Sequence, residues 1–243
     1  PLSILSINKQ TDIGIIEMGA NHQHEIEFLC KIAQPTHAVI TNIGSAHLKG
    51  FGDLKGVEKT KNELYQYVSK NNGHIFVNIS DKRLLRLARG INQTSYGEKG
   101  NTHAELVSTT PFININYKKE VIKSKLLGNY QFDNIMLSIC IGNHFNISLN
   151  NIKQAIENYI PQNNRAQIID TKNNKLILDA YNANPSSMIA MLDSFAEQIY
   201  DNKTCILGEM LELGDHSEHE HKKIISLCKK LKFECYFIGN EFK

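Results

Sequence analysis

The chain has 243 residues, 41% hydrophobic and 21% charged, and its 27 basic and 25 acidic side chains leave a formal net charge of +2. Too apolar and too nearly neutral for intrinsic disorder, it reads as globular, and it offers no electrostatic reason for a nucleic-acid or membrane-surface partner. No apolar run approaches the roughly 18–20 residues of a membrane span, and PLSILSINKQTD lacks the charged start of a secretory signal, so no membrane insertion and a cytoplasmic location are expected. Five cysteines without a C-x-x-C pair read as reduced structural thiols. The 23 Lys against 4 Arg, with 26 Asn and 31 Ile, reflect AT-rich coding more simply than chemistry.

In chain order, IGIIEM reads as a strand, HEIEFLCKIA as a helix with apolar spacing near 3.6, and HAVITNI as a second strand. A helix from about Asp53 to Ser69 and the strand HIFVNI follow. Strand, helix, strand at these spacings predicts an α/β fold with a mainly parallel central sheet and covering helices. From Ala104 to Leu127 residues alternate with no helix between them, which predicts an antiparallel extension of that sheet. Two helices are expected over Phe132–Phe145 and Leu149–Tyr159, the second capped by Ser148. The polar, Pro-containing PQNNR is the best linker, placing a boundary near Gln162 between units 1–162 and 163–243. Beyond it AQIIDT, KLILDAY, a helix from Pro185 to about Tyr200, KTCILGEM, a helix over Ser217–Leu231 and ECYFIG predict a truncated Rossmann-like domain.

Ligands in open α/β sheets gather beyond the carboxyl ends of strands, so Glu17, at the end of IGIIE, is placed to hold a metal or a substrate cation, or else to cap the next helix. Thr41 and Asn42 end the next strand, His47 lies in the loop behind it and Lys61 in the following helix. An oxygen ligand, an imidazole and a modifiable amine near successive strand ends could converge on one divalent ion. Asp179 sits at another strand end, and Asn184-Pro185 starts a helix. His216, His219 and His221 tempt a zinc assignment, but on a helix start His219 and His221 face different ways, and an exposed acidic first turn is the better reading. Gly50, Gly52 and Gly56 miss the dinucleotide fingerprint, disfavouring a Rossmann oxidoreductase. G-x-x-x-x-G-K-[ST], G-x-S-x-G and H-E-x-x-H are absent from the sequence.

EMGANHQHEIEFL, AVITNIGSAHLKGFGDLKGVEKTKNELY, GNYQFDNI, NNRAQIIDT, LDAYNANPSSM and LGEMLELGDHSEHEH together resemble the Mur ligase family, in the family's order and over essentially the whole chain. YNANP with S-x-M sets the sequence apart from relatives carrying Y-A-H-N-P and from folylpolyglutamate synthases. The resemblance implies an ATP- and Mg²⁺-dependent amide ligation. The carboxylate of a UDP-N-acetylmuramoyl-tripeptide would take the γ-phosphoryl group as an acyl phosphate, and the amine of D-alanyl-D-alanine would displace phosphate, in peptidoglycan precursor synthesis. It also implies that Glu17 and His47 hold Mg²⁺, with Lys61 joining them if carbamylated. Lys61 and His47 would be catalytic, and Thr41 and Asn42 would lie against substrate. Asn134 would contact adenine, Arg165 and Asp179 would lie near the phosphates and ribose, and Tyr181 and Asn182 would flank the nucleotide. The blocks begin beyond the family's Gly-rich phosphate loop. The expectation is therefore a monomeric fragment, inactive by itself, of an active ligase; the alternatives are a non-catalytic nucleotide-binding remnant or a related amide ligase.

Overall fold

The structure is a computed structural model and describes residues 2–44 and 48–242. It begins with the short helix α1 (Leu2–Leu5), then α2 (Glu25–Ala33), β1 (His37–Val39), α3 (Leu48–Phe51), α4 (Leu54–Lys70), β2 (His74–Asn78), α5 (Lys82–Leu87) and β3 (Gln93–Tyr96). β1, β2 and β3 form a parallel sheet in that order. Side chains of a strand alternate between faces, and β2 shows what this does: Ile75 and Val77 pack with Tyr65 and Val68 of α4 and Leu84 of α5, whereas Phe76 packs with Ile135 and Ile139 of a helix on the other face. Both faces of the sheet are thus covered, as a parallel sheet requires.

α4 begins where the sequence places it. Asp53 accepts from the Gly56 N–H at 2.8 Å, meeting one of the four orphan donors of the first turn.

The strand expected over IGIIEM does not form. Residues 13–20 have no regular structure, and Ile13 and Ile15 are 51% and 88% exposed. β-Branched residues favour a strand only where a neighbouring strand takes up the backbone N–H and C=O groups, and among the described residues β1 pairs with β2 alone.

β4 (Glu105–Ser108), β5 (Asn114–Tyr117) and β6 (Glu120–Lys123) form the antiparallel meander, as a sheet of their own rather than an extension of the first. Helix α6 (Gln131–His144) packs on both sheets, joined by α7 (Leu149–Asn158), whose Ser148 cap accepts from the Asn151 N–H at 3.3 Å. Beyond the PQNNR stretch, β7 (Gln167–Asp170) and β8 (Lys175–Leu178) pair as an antiparallel hairpin. Helix α8 (Pro185–Glu197), β9 (Thr204–Gly208), α9 (Ser217–Leu231) and β10 (Glu234–Ile238) complete the chain, with β9 and β10 parallel. Leu192, Cys205, Met210, Ile224 and Cys228 centre this last core. No helix is long and apolar enough to cross a membrane among the described residues.

Candidate active site

The carboxyl ends of β1 and β2 open onto a cleft of about 430 Å³ lined by Thr41, Asn42, Asn78, Asp81, Arg83 and Asp133 among others. Its walls follow from local rules. Asn78 ends β2 and accepts from the Ser80 N–H at 3.0 Å, and Asp81 caps α5 by accepting from the N–H groups of Arg83 and Leu84 at 2.7 and 3.3 Å. Burial raises the Asp133 carboxyl above its ordinary pKa, and Asp81 adds to this while a hydrogen bond with Asn78 opposes it.

Lys61 reaches the same edge. On α4 it stands one turn before Tyr65, and residues four apart share a helix face. Tyr65 is fully buried; its hydroxyl donates to the Phe76 carbonyl at 3.1 Å and accepts from the Ile40 N–H at 3.4 Å, locking that face of α4 against β1 and β2. Lys61 Nζ then donates to the Asn42 carbonyl at 2.7 Å. Burial lowers its pKa, making the neutral amine easier to reach.

A second group forms on the C-terminal unit. The Arg165 guanidinium lies 3.7 Å from the centre of the Tyr181 ring. Asp179 accepts from the Ala166 N–H at 3.0 Å; burial raises its pKa, partly offset by that hydrogen bond and by Arg165. Asp179 also bears on Tyr130 at the start of α6, whose phenol is pushed up to about 12, by burial first and by the Asp179 charge second. The two units meet here. Gly44, beyond β1, lies so near the start of α8 that a Cβ would stand 3.5 Å from Ser186 Oγ. Gly128, with φ +89°, brings the backbone under the Tyr130 ring, and a Cβ there would meet Ser194 Oγ at 3.1 Å.

The structure therefore brings Thr41, Asn42 and Lys61 to one edge and Arg165, Asp179 and Tyr181 to another. Asn134 is exposed on α6, beside Asp133, and its Nδ2 donates to Gln131 Oε1 at 2.8 Å. Asn182 is exposed between β8 and α8. Glu17 is exposed on the irregular segment, not at a strand end, and His47 lies outside the described residues. Among the described residues no three His, Cys, Asp or Glu side chains are grouped to hold a metal ion. Zinc at HSEHEH is excluded by the fate of His221. It is buried, accepts from the Met210 N–H through Nε2 at 2.9 Å and donates from Nδ1 to the Ser217 carbonyl at 2.8 Å, so both nitrogens are spent inside the fold rather than on an exposed first turn. Asn78, Asp81 and Asp133 escaped the sequence reading; the available signal was the Asn-Ile-Ser-Asp run directly after the apolar strand HIFV.

A polar cleft at the carboxyl ends of a parallel sheet, followed by a second α/β unit carrying an arginine–tyrosine pair, makes up the candidate site. The profile of the Mur ligase middle domain matches residues 1–142 and that of the Mur ligase glutamate ligase domain residues 164–241, and the chain belongs to the Mur ligase family. Among curated relatives it is similar to the UDP-N-acetylmuramoyl-tripeptide--D-alanyl-D-alanine ligase of Haemophilus influenzae, 32% identical over 232 residues covering 92% of this chain and 50% of that protein. Among solved structures it is similar to MurF from Acinetobacter baumannii, with a TM-score of 0.87 and 28% identity over 98% of this chain and 54% of that one. It is also similar to MurF ligase from Thermotoga maritima in complex with ADP, with a TM-score of 0.84 and 25% identity over 99% of this chain and 58% of that one. The chain spans about half the length of the curated relatives it matches.

Proposed function

We propose that this chain supplies the central and C-terminal parts, residues 1–162 and 163–243, of an ATP-dependent ligase that joins D-alanyl-D-alanine to UDP-N-acetylmuramoyl-tripeptide. The observation that carries the reading is that one chain holds both a strand-end cleft, whose Asn42 takes the Lys61 ammonium on its carbonyl, and an Arg165–Tyr181 pair on the following unit. Arg165 offers a fixed cation to phosphate oxygens, and the exposed Tyr181 ring a flat apolar face; Asp179 and Asn182 supply polar groups for the ribose, and Asn134 an amide for adenine. Thr41 and Asn42 line the cleft where the acceptor carboxylate would lie.

Mg²⁺ prefers oxygen ligands and keeps several waters, so it needs few protein ligands. The donor set fits. Glu17 is a solvent-accessible carboxylate, and burial tips Lys61 toward the neutral amine that adds CO₂ to give a carbamate and a proton. Glu17, His47 and carbamylated Lys61 would hold the ion, which when bound offsets phosphoryl charge. The work of this chain's own residues is positioning: holding nucleotide and carboxylate together and excluding water as the two units meet.

The test is phosphate release by the full-length protein carrying this chain, with ATP, Mg²⁺, UDP-N-acetylmuramoyl-tripeptide and D-alanyl-D-alanine. Release that requires both peptide substrates, with the pentapeptide product found by mass spectrometry, is expected. Equal release with a free amino acid in place of the dipeptide would move the protein to another branch of the family, and no ADP binding at all would refute the reading.

A further inference from the structure

The larger cleft lies at the opposite ends of the strands. About 580 Å³ in volume, it is lined by His37, His74 and His144 together with Thr36, Tyr67 and Asn92 among others. His37 opens β1, His74 opens β2 and His144 closes α6, so residues 107 apart in sequence meet at one point. The Nε2 atoms of His37 and His144 are 3.1 Å apart. The second nitrogen of each ring faces a hydroxyl: His37 Nδ1 is 3.0 Å from Thr36 Oγ1, and His144 Nδ1 is 3.5 Å from Thr94 Oγ1. His74 stands beside them with its Nε2 committed to Thr94 Oγ1 at 2.8 Å.

The geometry points to a bidentate site for a late first-row divalent ion, Zn²⁺ or its neighbours, held by His37 and His144 and completed by water. An ion about 2.05 Å from each nitrogen would subtend an angle of about 98° across that 3.1 Å gap, between the octahedral and tetrahedral values. Metal-bound imidazoles donate their other N–H to a fixed acceptor, and here Thr36 and Thr94 already occupy those positions. Binding needs no net deprotonation of the neutral pair. The proton now shared between the two Nε2 atoms passes through solvent to Nδ1 of the ring that carried it, leaving two Nε2 lone pairs for the ion. Burial keeps His37 biased toward the neutral form, and the nearby His144 adds to this. The site is accessible, since all three rings are only partly buried. With two protein ligands, fewer than the three or four of resident zinc sites, the site falls below the three-residue groups that are absent among the described residues. Its effect would be to tie β1 to the end of α6 at the edge remote from the active-site cleft, independently of the ligase reading.

The experiment titrates the metal-free chain with ZnCl₂ by calorimetry and thermal unfolding, with MgCl₂ as the hard-cation control. One Zn²⁺ per chain at this site, and a rise in unfolding temperature that MgCl₂ does not give, are expected. His37→Gln and His144→Gln should each weaken zinc binding at least tenfold, Thr36→Val roughly tenfold, and His74→Gln little. Circular dichroism checks that the variants are folded. If they are not, zinc protection of His37 and His144 in the wild-type chain against diethyl pyrocarbonate, read by peptide mass spectrometry, supplies the same answer. Zinc uptake unchanged in a folded His37→Gln/His144→Gln variant, no uptake by the wild type, or no protection of these two histidines would overturn the assignment.

Discussion

Lys61 Nζ lies against a carbonyl in a partly desolvated position, and this has consequences for both stability and turnover. Because its folded-state pKa is below the ordinary 10.5, the folded chain gives up this proton before the unfolded chain does. The penalty of the buried ammonium is therefore present in full below the lowered value and relieved as pH rises from it toward 10.5. Any stability advantage of Lys61→Met over wild type should accordingly shrink as pH is raised toward 10.5, as urea unfolding would measure. In the full-length protein Lys61→Ala should lower phosphate release by roughly 10²-fold or more, the scale of losing one electrostatic stabiliser. Added short carboxylic acids should restore part of it, and Lys61→Arg should not substitute. On the C-terminal unit, Arg165→Lys keeps the charge but loses the planar group stacked on Tyr181. We expect the KM for ATP to rise several-fold with less than about 1 kcal/mol change in stability; an unchanged KM would remove Arg165 from the nucleotide site. The sequence singled out Asp179 by its place at a strand end and Lys61 by its place on the helix behind one, whereas Arg165 entered only through the family resemblance. Asn78 and Asp133 were not singled out, because a turn asparagine and a helical aspartate look ordinary until the sheet sets them at one edge.

Helix α2 illustrates how one element is held by another. Its N-cap residue, His24, makes no side-chain cap, and the orphan donors are met from α4 instead: the buried Glu63 accepts from the His24 N–H at 2.8 Å through one oxygen and from the Glu27 N–H at 3.0 Å through the other. Glu63→Ala removes both acceptors at once. A loss of about 2–4 kcal/mol is expected, one buried hydrogen bond to a charged group being worth roughly 1.5–3, with Glu63→Gln losing less because its amide oxygen still accepts; denaturant titration of both variants checks this. Nothing local in GVEKTKNELY announces that role, whereas the expected span of α4, about Asp53 to Ser69, is met to within a residue at each end. Strands were legible by content and not by partner. HIFVN pairs on both sides and forms β2, while the equally β-branched IGIIE has no ladder. The direction of β7 against β8 was likewise hidden, since alternation is the same for a hairpin as for a crossover pair.

At the scale of the molecule, the last core is separate from the two that clothe the first sheet, and the units touch through Gly44 and Gly128 against α8. Thermal unfolding should show this as unequal sensitivity: Ile224→Ala, in the last core, should lower one transition by the equivalent of about 2–5 kcal/mol and leave the other near its wild-type temperature. The 243-residue chain assayed alone should release no phosphate from ATP above the uncatalysed background. It contains no G-x-x-x-x-G-K-[ST] loop to fix the γ-phosphate in line, and turnover of even 1 per second, the low end of ordinary enzymes, would contradict that.

The Arg165–Tyr181 contact also has an optical consequence. The chain contains no tryptophan, so Tyr181→Trp would introduce a single indole fluorophore, excited free of background at the red edge of its absorption. With a guanidinium over its face and one flank open to solvent, its emission should report the polarity of that spot alone. Addition of ADP to the full-length variant, read as the difference from the full-length wild type, should shift the emission maximum, while the same label at the exposed Ile206 on β9 should stay silent. The pair would thus turn the meeting of the two units into a colour change, readable in a cuvette without turnover.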